Sequence, residues 1–218
     1  TILENGTDTG NFRGLAFHDD GASVQLVSEM QAGWYRYITK WVFRDDGTIQ
    51  PRFGFGGVNN TCICNIHHHH AYWRFNFDIV QTARNSVCLA DTPTACTPLA
   101  TEAKLAAIGS HLEVRNDLGT EAYRLVPGPG DGAPDAFSKA TAWVLQFQSN
   151  QVDDGVNCTQ GTSCRVPIDI DRFVSGQSVA GRDVVVWYRG SFIHDETGNH
   201  PEEEEAHIVG PELVPVNW

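Results

Sequence analysis

Nothing in the 218-residue sequence approaches the ~20 consecutive apolar residues that a membrane-spanning helix requires. The first residues also lack the basic-then-apolar order of a secretory leader. A leader removed on export would leave the same sequence, so secretion stays open. Positive charge is scarce, with 15 Lys and Arg against 27 Asp and Glu and a net charge of −12. Such a surface repels phosphate backbones and anionic headgroups, so neither nucleic acid nor membrane is an expected partner, and cations are favoured. Part of the charge is local: Glu202, Glu203, Glu204 and Glu205 form a run that reads as a solvated loop. No Gly/Ser-rich or Pro-rich linker interrupts the chain and no repeat is visible. With 41% hydrophobic residues available for a core, one domain over residues 1–218 is expected. Helix is nearly absent, since only the short stretch TEAKLAAIGS has a helical composition.

What is there is strand. Apolar and β-branched runs recur with turn signals between them: SVQLVSEM, YRYITKWVFRDDGTIQPRFGF, AYWRFNFDIV, HLEVRN, TAWVLQFQS and DVVVWYRGSFI. This is the pattern of an all-β antiparallel sandwich. Asp45-Asp46-Gly47 suits a hairpin turn, because Gly accepts positive φ. VPGPGDGAPDA is a loop, since so many Pro and Gly cannot sustain a ladder of hydrogen bonds.

The six cysteines fall in three close pairs. Short polar loops within Cys88/Cys96 and Cys158/Cys164 suit local disulfides, whereas Cys62 and Cys64 would close an unusually small ring. An oxidising, extracytoplasmic compartment follows, and the sequons at Asn5, Asn59 and Asn157 agree with it. The competing reading of Cys62-x-Cys64 is a zinc site beside the histidines, but its spacing is shorter than structural zinc sites use and no second such pair follows.

Four consecutive histidines, His67 to His70, open the strand-like HHHHAYWRFNFDI. Alternation along a strand puts His67 and His69 on one face, roughly 7 Å apart at Cα, with His68 and His70 on the other. Two imidazoles on one face can converge on an ion at ~2.0 Å, and a third ligand has to come from elsewhere. His194 is the candidate, because it ends the strand-like run DVVVWYRGSFIH. Imidazole-rich sites suit copper and zinc, and copper stands higher in the divalent affinity order. The alternative is a surface cluster or a purification tag. A tag sits at a terminus and is longer, and this run leads into an aromatic strand.

At these residues the chain resembles the catalytic domain of the copper amine oxidases. That family carries His-x-His followed by Arg and then Asp on one strand, and His67, His69, Arg74 and Asn76 stand at the matching positions. Its third copper histidine closes a strand similar to DVVLWYTFGVTH, which DVVVWYRGSFIH matches from Asp183 to His194 without a gap. FRGLAFHDD resembles the family's REGLVLHDV, SEM at Ser28 to Met30 recurs in it, and YRYITKWVFRDDGTI resembles YDYIFDWVFYQNGTI. Residues 82–180 match loosely, and the family's other domains are absent from the sequence.

The resemblance implies Cu(II) on His67, His69 and His194, with oxygen or a small molecule at the metal. It also implies a peripheral site of oxygen donors, Asn76, Asp78 and Asp183 with the carbonyls of Phe77 and Val184, a donor set that calcium prefers. Asn76 replaces an acid, so weaker calcium affinity is expected. The alternative is that Asp78 and Asp183 pair with Arg74 or Arg182. In the family a tyrosine beside copper becomes the quinone that binds primary amines, and the matching position is Tyr35. Its neighbours differ, with Trp34 in place of a small amide and Arg36 in place of an acid. The segment that carries the family's general base is missing between SEM and this tyrosine, a step worth ~10²–10⁴-fold. Asp19 and Asp20 read as turn residues and do not replace it. A quinone at Tyr35 is therefore not expected.

Three functions follow. The first is a secreted mononuclear copper protein that activates oxygen or transfers electrons without quinone-dependent amine oxidation. The second is a minimal primary amine oxidase with Tyr35 as its quinone. The third is a non-catalytic copper-binding or storage protein in which His68, His70, His200 and His207 add ligands, against the reading of those four as solvated loop histidines. Neither substrate nor oligomeric state is specified by the sequence.

Overall fold

The computed structural model describes residues 14–32, 35–57, 66–92, 95–151, 170–195 and 207–218. Fourteen strands, paired antiparallel, carry the fold among them, and the helical element is one 3-10 turn at Ile170–Phe173. The chain divides into two compact units, residues 1–71, 128–132 and 190–212 in the first, and 72–127, 133–189 and 213–218 in the second.

The first unit is built on a meander of β1 (Ala16–Asp19), β2 (Ser23–Ala32), β3 (Tyr35–Arg44) and β4 (Ile49–Gly57), each pairing antiparallel with the next. The two of its three turns that lie in the described residues, at 20–22 and 45–48, are set by side chains as well as by glycine. Asp19 accepts a hydrogen bond from the backbone N–H of Gly21 at 2.8 Å, and Asp20 accepts those of Ala22 and Ser23 at 3.0 and 2.7 Å. The expected hairpin at Asp45-Asp46-Gly47 forms with Gly47 at φ 81°, and Asp46 accepts the Thr48 N–H at 2.9 Å. Strand β13 (His207–Val209) pairs with β4, setting Ile208 against Gly54. A Cβ at Gly54 would lie 2.0 Å from the His207 carbonyl oxygen, so glycine there permits the close approach that positions His207.

In the second unit, β10 (Ala122–Val126), β9 (His111–Arg115), β6 (Ser86–Thr92) and β7 (Ala95–Leu99) form one antiparallel run. Strand β11 (Ala142–Gln146) pairs with β8 (Ala103–Leu105) on one side and with β12 (Val184–Asp195) on the other. Val184 to Val186 and Ala142 to Leu145 are buried at every position, as strands covered on both faces must be. Trp143, Leu145, Ile170, Phe173, Val185 and Trp187 form the core. The Trp143 indole N–H donates to Asp171 at 2.7 Å, which satisfies the one polar atom of a fully buried ring. Strand β5 (Ile66–Phe77) and β12 each begin in one unit and end in the other, and β14 (Glu212–Val216) completes the order.

One expectation is corrected. TEAKLAAIGS is not helical: Ala103–Leu105 is a strand whose residues pair with Val144, Trp143 and Ala142. A helix of ten residues has little stability of its own, so tertiary pairing decides. Buried Glu102 reinforces the extended form by accepting from the backbone of Gln146 at 3.1 Å and from Ser175 at 2.7 Å. Among the described residues no helix is long and apolar enough to cross a membrane.

Candidate metal centre

The histidines that the sequence nominated lie on β5 and β12, neighbours in one sheet. Along β5, Trp73, Phe75 and Phe77 are buried while Asn76 is exposed, so the odd-numbered residues face inward. His69 belongs to that inward set and is half-buried, whereas His68 on the other face is exposed. Near the end of β12, Ile193 is exposed and His194 is 2% exposed, so His194 also points inward. The His69 and His194 rings lie edge to face with centroids 5.8 Å apart. His67 falls in β5, and its side chain is outside the described set.

Two side chains complete this inner cluster. His207 on β13 also meets His194 edge to face, at 5.9 Å. Phe192 stacks on His69 and on His207, at 5.2 Å in each case. The sequence offered a signal for Phe192, two residues before His194 and so on the same strand face. His207 was weighed only as an additional ligand or a loop residue, and it is in a strand.

The imidazoles suit a borderline metal: neutral nitrogen donors, brought together from two strands, in a largely buried setting. The two ring centroids are 5.8 Å apart, and His69, His194 and His207 do not have donor atoms all within 4.8 Å of one another, so binding one ion at ~2.0–2.1 Å would require the rings to turn. Imidazoles are donors that copper accepts, and His69 and His194 are described side chains that could supply them.

Tyr35 begins β3, its backbone paired with Ala32 and Gly57, and its side chain is outside the described set, as is Trp34. Arg36 forms an ion pair with Glu29 at 3.0 Å. At the proposed calcium position, Asn76 and Asp78 are exposed, and the Phe77 carbonyl accepts from the Asn85 amide at 3.1 Å. Burial, together with the negative charge of Asp78, raises the Asp183 carboxyl above its ordinary value, and Arg74 opposes this. One Asp183 carboxylate oxygen is buried without a hydrogen-bond partner. Among the described residues, neither Arg74 nor Arg182 forms an ion pair with Asp78 or Asp183. Arg74 instead lies 5.5 Å from the centre of the Phe147 ring.

Cys88 and Cys96 are joined by a disulfide between β6 and β7. Glu113 lies beside them, but the sulfurs are bonded to each other, and the carboxylate is held by Arg115 at 2.5 Å and Arg124 at 2.8 Å. That group is not a metal site. Cys62, Cys64, Cys158, Cys164, the three sequons, His200 and Glu202 to Glu205 lie outside the described residues.

No protein-family model matches the sequence, and no curated protein matches it. Solved structures do match. An amine oxidase from Aspergillus nidulans aligns over 93% of this chain and 36% of its own, with a TM-score of 0.68 and 18% identity. A copper-containing benzylamine oxidase from Hansenula polymorpha aligns over 95% of this chain and 43% of its own, with a TM-score of 0.68 and 14% identity. The fold is that of the copper amine oxidases. A lysyl oxidase from Pichia pastoris agrees, over 93% of this chain and 37% of its own, at a TM-score of 0.65 and 14% identity. The chain spans less than half the length of these oxidases, and at such identity the likeness to the copper amine oxidases is one of fold.

Proposed function

We propose that the chain is an extracytoplasmic mononuclear copper protein whose ion is held by His67, His69 and His194. It would serve oxygen activation or electron transfer, without quinone-dependent amine oxidation. The observation that carries this reading is the convergence of His69 with buried His194 from neighbouring strands of the copper amine oxidase fold. A bound copper ion would supply a one-electron couple and a Lewis-acid position for oxygen. The chain's own residues orient and shield. Phe192 packs flat against His69 and fixes its plane, and the burial of His194 limits water at its ring. The Cys88–Cys96 disulfide supports an oxidising compartment.

Metal analysis of the purified protein, with its visible and electron paramagnetic resonance spectra, tests the reading. One copper at the inner centre, with nitrogen hyperfine structure that His194→Ala removes, is expected, with peroxide produced from a reductant and not from an amine. A visible band that shifts with phenylhydrazine, together with an oxidised Tyr35 in peptide mass spectra, would establish the minimal amine oxidase instead. Copper bound without any redox turnover would favour storage. A calcium ion at Asp78 and Asp183 is a second reading, favoured by the buried, unpartnered Asp183 oxygen. Calcium is then expected to raise the melting temperature of the wild type and not of Asp183→Asn.

A further inference from the structure

We propose that His68 and His70 form a second divalent-metal site, on the opposite face of β5 from the copper centre. It would take a borderline ion such as Cu(II) or Zn(II). The two residues stand two apart on one strand, so their side chains leave the same face. Their rings lie nearly parallel, with centroids 6.2 Å apart and planes 17° apart. One ring nitrogen of each lies within 4.8 Å of the other. Two nitrogens bound to one ion at ~2.0–2.1 Å sit at most ~4.2 Å apart. A small tilt of the two rings closes that gap.

Exposure separates this chelate from the inner one. His68 is exposed and His70 half-buried, so water or an external anion can reach an ion held there. The inner centre draws its ligands from more than one strand and buries His194. On this reading the four-histidine run is two interleaved His-x-His chelates facing opposite ways. The pair also needs no loop to order it, because β5 fixes both Cα positions.

Copper titration of the full chain, followed by calorimetry and electron paramagnetic resonance, tests the proposal. Wild type is expected to bind two equivalents with distinct spectra. His68→Ala is expected to weaken the second at least tenfold and leave the first unchanged, and His68→Gln to do the same while keeping a polar strand face. The His69→Ala/His194→Ala variant is expected to retain one equivalent, lost when His68→Ala and His70→Ala are added. A single equivalent in wild type that His194→Ala removes and His68→Ala does not would overturn the second site and leave the copper centre standing. The reverse pattern would overturn the copper centre and leave this one. A second equivalent that survives in His68→Ala/His70→Ala would also refute the proposal.

Discussion

Copper should stabilise this protein, and His194→Ala should abolish most of that effect. A ligand that binds only the folded chain at a hundred times its Kd contributes ~2.7 kcal/mol. For a chain of this size each kcal/mol moves the melting temperature by ~2–4 °C, so the expected shift is ~5–11 °C. His194 is 2% exposed and meets His69 at 5.8 Å and His207 at 5.9 Å, so its removal deletes a central donor rather than a peripheral one. Truncating so buried a ring also destabilises the metal-free fold, by ~1–3 kcal/mol. The quantity to compare is therefore the copper-induced shift within each variant, not the absolute melting temperature. Scanning fluorimetry in a His68→Ala background removes the outer chelate from the comparison. His18→Ala, at an exposed position on β1, controls for adventitious imidazole binding and should keep the full shift. An equal copper shift with and without His194 would refute the copper centre as assigned.

Two further outcomes concern stability. Glu113 is buried against Arg115 at 2.5 Å and Arg124 at 2.8 Å, both about one-third exposed, so Glu113→Gln is expected to cost ~1–3 kcal/mol, below the value for a fully buried pair. Burial alone would raise the Glu113 carboxyl, but the two guanidinium groups hold it below 4.5. Its contribution is then present above pH ~4.5 and lost as pH falls through the lower folded value, and urea melts between pH 3 and 7 should show an acid limb that Glu113→Gln flattens. Reduction of Cys88–Cys96, which closes a short loop with a sequence separation of 8, is expected to remove ~2.5 kcal/mol, and an unchanged melting temperature after reduction would show that the loop entropy is not what the bond restrains.

The strand pattern was legible because alternation is a local property. From His69 to Phe77 the odd-numbered residues face inward, and that periodicity is readable without any knowledge of the neighbouring strand. The pairing of His194 with His69 could be anticipated only through resemblance, since nothing local dictates which strands become neighbours. His207 was harder still. Its place against His194 depends on β13 lying along β4, and that depends on Gly54 leaving room for the His207 carbonyl, an arrangement 153 residues apart in sequence. TEAKLAAIGS failed for the complementary reason: its composition favours helix, but Glu102 captures backbone donors from two other segments and β11 captures the strand. Local chemistry was read correctly there, and long-range partners outweighed it.

The Tyr35 position shows how a register pairing changes a charge argument. From sequence, Arg36 reverses the sign of the acid that the family places beside its reactive tyrosine, so its charge counts against quinone formation. On the sheet, Arg36 lies diagonal to Glu29 across β2 and β3, within 3.0 Å of its carboxylate. Both side chains are more than half exposed, so the pair adds little stability, but it neutralises the field that Arg36 would cast. Charge reversal is therefore the weaker of the two objections to a quinone. The stronger one is the missing general base: β2 ends at Ala32 and β3 begins at Tyr35, which leaves two residues where the amine oxidases carry a catalytic segment. The connection between β2 and β3 is two residues long, so a general base would have to come from elsewhere in the chain. The proposal of copper chemistry without amine oxidation rests on this difference in length, and an oxidised Tyr35 in peptide mass spectra would overturn it.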